Sequence, residues 1–204
     1  GCNNIHDYLY LLLAKRSSPD GVFGMEASFF QLNLLRSLVD PFSILGDRTR
    51  VFYLWRKDFV LQGISLYKAT ASGLFHAHSD GEAAEIRARH DAIPYDVEKI
   101  KFWILHIMQQ EFGFQRFFCE QDIKPPCFVY EEIRQQPDCM VRRIARAMGV
   151  ASGLEVERLR STHAVVGSDR NVEMARRFRR EEPAFVAHWS QMRGREPSRA
   201  AGTE

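Results

Sequence analysis

At 204 residues, 45% of them hydrophobic, the chain is long enough to bury one sizeable core, and no Pro/Gly/Ser-rich linker splits it. Its 28 Lys and Arg residues nearly balance 26 Asp and Glu, giving a formal charge of +2. That balance does not by itself suggest general nucleic-acid or membrane-surface binding, so any basic site must be local. No apolar run is long enough to span a bilayer, and the N-terminus lacks the order of a signal peptide. Cys2, Cys119, Cys127 and Cys139 have neither CxxC spacing nor a histidine pattern, so reduced, buried thiols in a cytoplasmic protein are expected, with no metal.

Residues 5–15 are apolar enough for a core-facing helix, which Ser17-Ser18-Pro19-Asp20-Gly21 ends with turn chemistry. GVFGME, residues 21–26, reads as a short strand. Phe29, Leu32, Leu35 and Leu38 then recur at helical spacing over 27–39, until Pro41 stops the helix. Next, five apolar residues in a row, Val51 to Trp55, predict a strand buried on both faces. Arg56, Lys57 and Asp58 break the run, and Val60, Ile64, Tyr67 and Ala71 continue it as a helix. In an open parallel sheet such a junction lies at the carboxyl edge of the strands, where helix N-termini offer unpaired N–H groups to anions. Two cations there point to a phosphate site.

Residues 73–94 lose periodicity and predict a long loop with a short helix at 82–89. A strong helix follows over 96–120, with Ile100, Trp103, Ile104, Ile107, Phe114, Phe117 and Phe118 as its buried stripe. A short buried strand at 127–130 precedes a helix at 137–148 stopped by Gly149. Tyr130 and Glu131, at the strand end, are expected to tie sheet to helix by hydrogen bonds. From Leu154 the chain is basic, with Arg158, Arg160 and Arg170 in one polar segment and Arg176, Arg177, Arg179 and Arg180 in a helix. Residues 193–204 hold almost no large apolar side chain and predict a disordered tail after a single domain at 1–192. The alternation is that of an α/β domain with a parallel sheet flanked by helices.

Several blocks resemble the trehalose 2-sulfotransferase-like family of bacterial carbohydrate sulfotransferases. Trp55-Arg56-Lys57-Asp58 fills the family's basic cluster after a buried strand, Gln62-Gly63-Ile64-Ser65 its Q-A-x-S, and Ser72-Gly73-Leu74-Phe75-His76 its T-G-x-W-H. SSPDGVFGME is similar to S-P-N-G-V-F-G-x-K, FFCEQDIKPPCFVYEEI to the family's Y-E-D-L block, and SDRNVEMARRFRRE to its C-terminal S-E-x-W-x-x-R-F. The resemblance implies a P-loop nucleotide-hydrolase-like sulfotransferase fold. It also implies 3'-phosphoadenosine 5'-phosphosulfate as donor, adenosine 3',5'-bisphosphate as product, and a sugar or glycolipid hydroxyl as acceptor. By it, Arg56 or Lys57, with Ser65, would hold the donor's 3'-phosphate, and Arg158 and Arg160 would contact the nucleotide.

The family's N-terminal strand and Ser/Arg/Gly-rich phosphosulfate loop have no counterpart here, and the resemblance puts the general base in that region, upstream of Gly1. Within the chain, His76 matches the family histidine and is the candidate catalytic residue. Without the loop little turnover is expected, so a non-catalytic binding or interaction protein on the same scaffold is the alternative. A nucleotide kinase is weaker still, because no G-x-x-x-x-G-K-[ST] occurs. Glu26 stands where the family has lysine, a charge that opposes a polyanionic donor. His76, His78 and Asp80 imitate a metal cluster but read better as solvated loop residues. Phe75 and Trp189, read as exposed, offer a surface for a homodimer.

Overall fold

The computed structural model describes residues 4–19, 21–150 and 166–194. They form helices α1 (Ile5–Arg16), α2 (Phe29–Leu38) and α3 (Pro41–Leu45), strand β1 (Tyr53–Trp55), then α4 (Phe59–Ser72), α5 (Asp80–Asp91) and α6 (Val97–Glu120). Strand β2 (Cys127–Val129) follows, then α7 (Tyr130–Gln135), α8 (Pro137–Met148), α9 (Asp169–Glu181) and α10 (Pro183–Arg193). The chain divides into two compact units, Gly1–Val51 with Gln110–Ile123, and Phe52–Gln109 with Lys124–Glu204.

In the first unit, α1 starts at Asn4, whose side chain accepts from Asp7 N–H at 2.9 Å. It buries Leu9 but leaves Tyr8, Tyr10 and Leu11 exposed, so it is not the core-facing helix its apolar composition predicts. Helix α2 begins with a capping box between Ser28 and Gln31. Its Phe29 ring meets Phe114 edge-on at 5.6 Å, against Gly113, where any Cβ would strike that ring. The Phe42 ring stacks on Phe117 at 6.2 Å, and Arg36 covers Phe117 from 4.7 Å. A further sequence expectation fails here. Residues 21–26 form no strand, and Gly21, at φ 78°, and Gly24 give that segment little to hold a strand with. Pro41 does not merely stop α2: it sits in the first turn of α3, where a missing N–H costs nothing, behind Asp40 as cap.

The second unit holds the sheet. β1 and β2 pair in parallel, Tyr53 opposite Cys127, Leu54 opposite Phe128 and Trp55 opposite Val129. Parallel pairing is as the sequence predicts, but among the described residues the sheet has these two strands, and helices dominate. Only one face of β1 is covered. Tyr53 and Trp55 are buried while Leu54 is 54% exposed, against the expected burial on both faces. The core lies between helices: Ile64 and Tyr67 of α4, Ile100, Ile104 and Met108 of α6, and Met174, Ala175 and Phe178 of α9 are all buried. In residues 73–94 the short helix expected at 82–89 is present and longer, as α5, so less of the segment is loop than expected. Ser79 caps α5 through Glu82 N–H at 3.2 Å, the Glu82 carboxylate returns to His78 N–H at 2.7 Å, and Ala77, Ala83 and Ile86 form a small core with Leu74 and Val166.

Helix α8 has the predicted bounds, with Pro137 in its first turn and Gly149 closing it at φ 73°. Helix α10 runs through Arg193, into the stretch expected to be tail; residues 195–204 lie outside the described set. Cys127 is buried, but Cys119 and Cys139 are exposed, so the expectation of buried thiols holds for one of the three described.

Gly63 is a close-approach position. A Cβ there would lie 2.5 Å from Cγ1 of the fully buried Ile104. Although alanine is the better helix former by about 1 kcal/mol, Gly63→Ala is expected to destabilise the protein by about 1–3 kcal/mol through overpacking. Urea denaturation checks this, and Ile104→Ala in the Gly63→Ala background is expected to relieve the clash.

Candidate functional site

The turn between β1 and α4 is fixed from three sides. Asp58 caps α4, accepting from Leu61 N–H at 2.9 Å, and its Oδ1 also receives Arg179 Nη2 of α9 at 2.6 Å. From the end of β2, the Glu131 carboxylate accepts Lys57 N–H at 3.0 Å and Asp58 N–H at 3.3 Å, and lies 3.7 Å from Arg56 Nε. From α10, Arg193 donates through Nη2 to Arg56 O at 2.7 Å and through Nη1 to Lys57 O at 2.9 Å. The tie from Tyr130-Glu131 to the helix is therefore present as expected. The same tie changes the anion argument, because the turn amides that the sequence offers to an external anion hold Glu131 instead.

The side chains at the turn are themselves partnered. Arg56 is 21% exposed, its guanidinium 4.7 Å above the Tyr130 ring, which fixes the plane of the fork. Lys57 is 45% exposed, with Nζ 3.6 Å from Glu132. Ser65 is half-buried on α4, eight residues after Lys57 and nine after Arg56. At 1.5 Å per residue it stands about 9 Å along the axis from the start of α4.

A family model, Stf0 sulphotransferase, matches residues 13–181. The chain belongs to the Stf0 sulphotransferase family. No curated protein matches it significantly. The Stf0 match takes in the β1–α4 turn, Ser65, His76, Glu131 and Arg179, and Arg193 stands beyond it. Membership in a sulphotransferase family bears directly on a turn built from Arg56 and Lys57, since a sulfuryl donor is an anion.

Of the other Stf0-related candidates, His76 is exposed, on the short connection after Gly73, with its ring 6.5 Å from that of Phe75. Phe75 is 51% exposed; Trp189, read as exposed, is half-buried with its ring 6.2 Å from that of Phe185. Arg158 and Arg160 lie outside the described residues. Among the described residues no group of His, Cys, Asp and Glu is arranged to hold a metal ion, and no helix is long and apolar enough to cross a membrane.

The most buried charge in this unit went unnoticed in the sequence. Lys68 is fully buried on α4, with Nζ 3.2 Å from Asp91 Oδ1 of α5 and 2.5 Å from Asn171 Oδ1 of α9. Ser168 Oγ donates to the same Asp91 oxygen at 2.7 Å. Burial lowers the Lys68 pKa from its ordinary value, and Asp91 opposes that shift without cancelling it. Burial pushes the Asp91 carboxyl up, but hydrogen bonds from Ser168 and Lys68 outweigh it and leave the group below its ordinary value. The signal was available: Lys68 falls four residues after Ile64, on the apolar stripe of α4.

Next to it, His90 is 7% exposed, and its Nε2 stands 3.1 Å from Leu74 O and 3.0 Å from Ser72 Oγ. A carbonyl only accepts, so Nε2 carries the proton of a neutral ring. Burial holds His90 below its ordinary value of 6.5, against the Leu74 hydrogen bond and with help from the Lys68 charge. In the unfolded chain His90 takes up a proton as pH falls through about 6.5, while the native ring does so only at lower pH. Stability is therefore expected to fall as pH drops from about 7.5 to 5.5. Urea midpoints across that range test this, and His90→Gln is expected to flatten the profile.

Proposed function

We propose that this chain binds 3'-phosphoadenosine 5'-phosphosulfate through its 3'-phosphate and serves in transferring the sulfuryl group to a hydroxyl of a carbohydrate or glycolipid. The observation that carries the reading is the pair Arg56 and Lys57, side chains accessible at the carboxyl end of β1, on a backbone held by Glu131 and Arg193. Membership in the Stf0 family supports the sulfuryl chemistry. Arg56 supplies a planar fork for two phosphate oxygens, Lys57 a mobile point charge, and Ser65 a hydroxyl donor. Arg158 and Arg160 complete the nucleotide contacts.

In the transfer, the bond between sulfur and the 5'-phosphate oxygen breaks as the acceptor oxygen bonds to sulfur. Adenosine 3',5'-bisphosphate leaves, and the acceptor proton passes to a base. His76, exposed beside Phe75, is the residue of this chain we assign to the acceptor side. Such a reaction depends on in-line positioning and on neutralising charge at the leaving oxygen. The reading treats residues 1–192 as one functional domain, supported by a family match that spans both compact units. A cytoplasmic location and a homodimer complete it.

A second reading, a binding protein without turnover, is favoured by Glu26, an exposed carboxylate where the family has lysine. Assaying transfer of labelled sulfate from the donor to trehalose and to glycolipid acceptors separates the two. Labelled product supports the enzyme; donor binding with no product on any acceptor supports the binding protein.

A further inference from the structure

We infer that Arg193 is a positioning residue for the donor's 3'-phosphate, acting through the backbone of the Arg56–Lys57 turn and not by touching the donor. The inference rests on the donor reading above and adds a residue that lies beyond the family match. Arg56 O and Lys57 N–H are the two ends of one planar peptide unit, and Lys57 O and Asp58 N–H are the ends of the next. Arg193 grips the carbonyl ends of both, at 2.7 and 2.9 Å, while Glu131 grips both N–H ends, at 3.0 and 3.3 Å. Two consecutive peptide planes thus stand between a guanidinium fork and a carboxylate fork. Hydrogen bonds in such a line polarise one another, so each fork strengthens the other's hold.

The guanidinium is itself oriented. Its carbon lies 4.5 Å from the centre of the Trp55 ring and 5.3 Å from that of Phe59, so the fork is held in plane by the residues on either side of the turn it binds. Fixing the two peptide planes fixes the backbone dihedrals of Lys57, and with them the directions in which Arg56 and Lys57 leave the chain. Helix α10 does not depend on this contact to form, because Phe185 packs edge-on against the buried Phe178 of α9 at 5.9 Å. A lysine at this position keeps the charge but has no planar fork to span two carbonyls.

The test titrates wild type, Arg193→Ala and Arg193→Lys with adenosine 3',5'-bisphosphate and with adenosine 5'-monophosphate, and records unfolding midpoints in parallel. Arg193→Ala is expected to weaken the bisphosphate about tenfold and to leave the monophosphate within about twofold, with Arg193→Lys recovering only part of the loss. An unchanged bisphosphate affinity, or an equal fall for both ligands, overturns the inference and reduces Arg193 to a tie for α10. A wild type that binds neither ligand overturns the donor reading and this inference with it. The two failures are therefore told apart by the wild-type titration alone.

Discussion

Lys68→Ala is expected to lower the unfolding free energy by about 3–5 kcal/mol, the range for removing one partner of a buried ion pair. The substitution strips Asn171 Oδ1 and Asp91 Oδ1 of their shared donor and opens a cavity where the fully buried lysine lay among α4, α5 and α9. Asp91 moderates the loss: its side chain is 37% exposed, and Ser168 still donates to it at 2.7 Å. Lys68→Met is expected to cost less than half as much. Burial depresses the Lys68 pKa in spite of Asp91, so desolvating the ammonium costs more than the pair returns, and a thioether of similar length avoids that cost. Urea midpoints for the two variants measure the difference. Equal losses would mean that the ion pair itself carries the stability.

The second large effect concerns the ligand. Arg56→Ala and Lys57→Ala are each expected to weaken adenosine 3',5'-bisphosphate about 10–100-fold, the worth of one hydrogen bond to a charged group at about 1.5–3 kcal/mol. Arg56 should be the larger, because its guanidinium is held over Tyr130 and is largely buried, whereas the Lys57 ammonium is more exposed. Ser65→Ala removes one uncharged donor and should cost about tenfold or less. Raising salt is expected to narrow the Lys57 effect more than that of Arg56. Calorimetric titrations at two ionic strengths give all of these values.

The parts of this molecule that were legible in the sequence are the ones whose causes are local. The start of α4 after the Arg56–Asp58 break, and Pro137 and Gly149 as the ends of α8, each follow from residues within a few positions of one another. The strand expected at 21–26 failed because a strand needs a partner, and no periodicity reports whether one is there. Leu54 was read as buried for the same reason. The helix expected at 82–89 is found at Asp80–Asp91; its weak apolar period, with only Ala83, Ile86 and His90 buried, left its ends poorly marked, although Ser79 caps the start.

At the site, Arg56, Lys57 and Ser65 were legible as residue types in a pattern. What holds them was legible only in part: a tie from Glu131 to a helix was expected, but not its target, and Arg193 was not expected at all. Glu131 reaches the turn across 74 residues of sequence and Arg193 across 136, separations at which spacing carries no information. Arg193 in particular follows the last strongly apolar stretch and looked like the beginning of a tail. Lys68 left a local trace, a cation on a buried stripe, and its partners Asp91 and Asn171 left none.

The central claim is that the β1–α4 turn receives a 3'-phosphate. Comparing adenosine 3',5'-bisphosphate with adenosine 5'-monophosphate by calorimetry on the whole chain tests it most directly. The account predicts saturable binding of the bisphosphate, at least about tenfold tighter than the monophosphate, with that preference abolished in Arg56→Ala. Equal affinity for the two nucleotides, or a preference that survives Arg56→Ala, Lys57→Ala and Ser65→Ala alike, would contradict it.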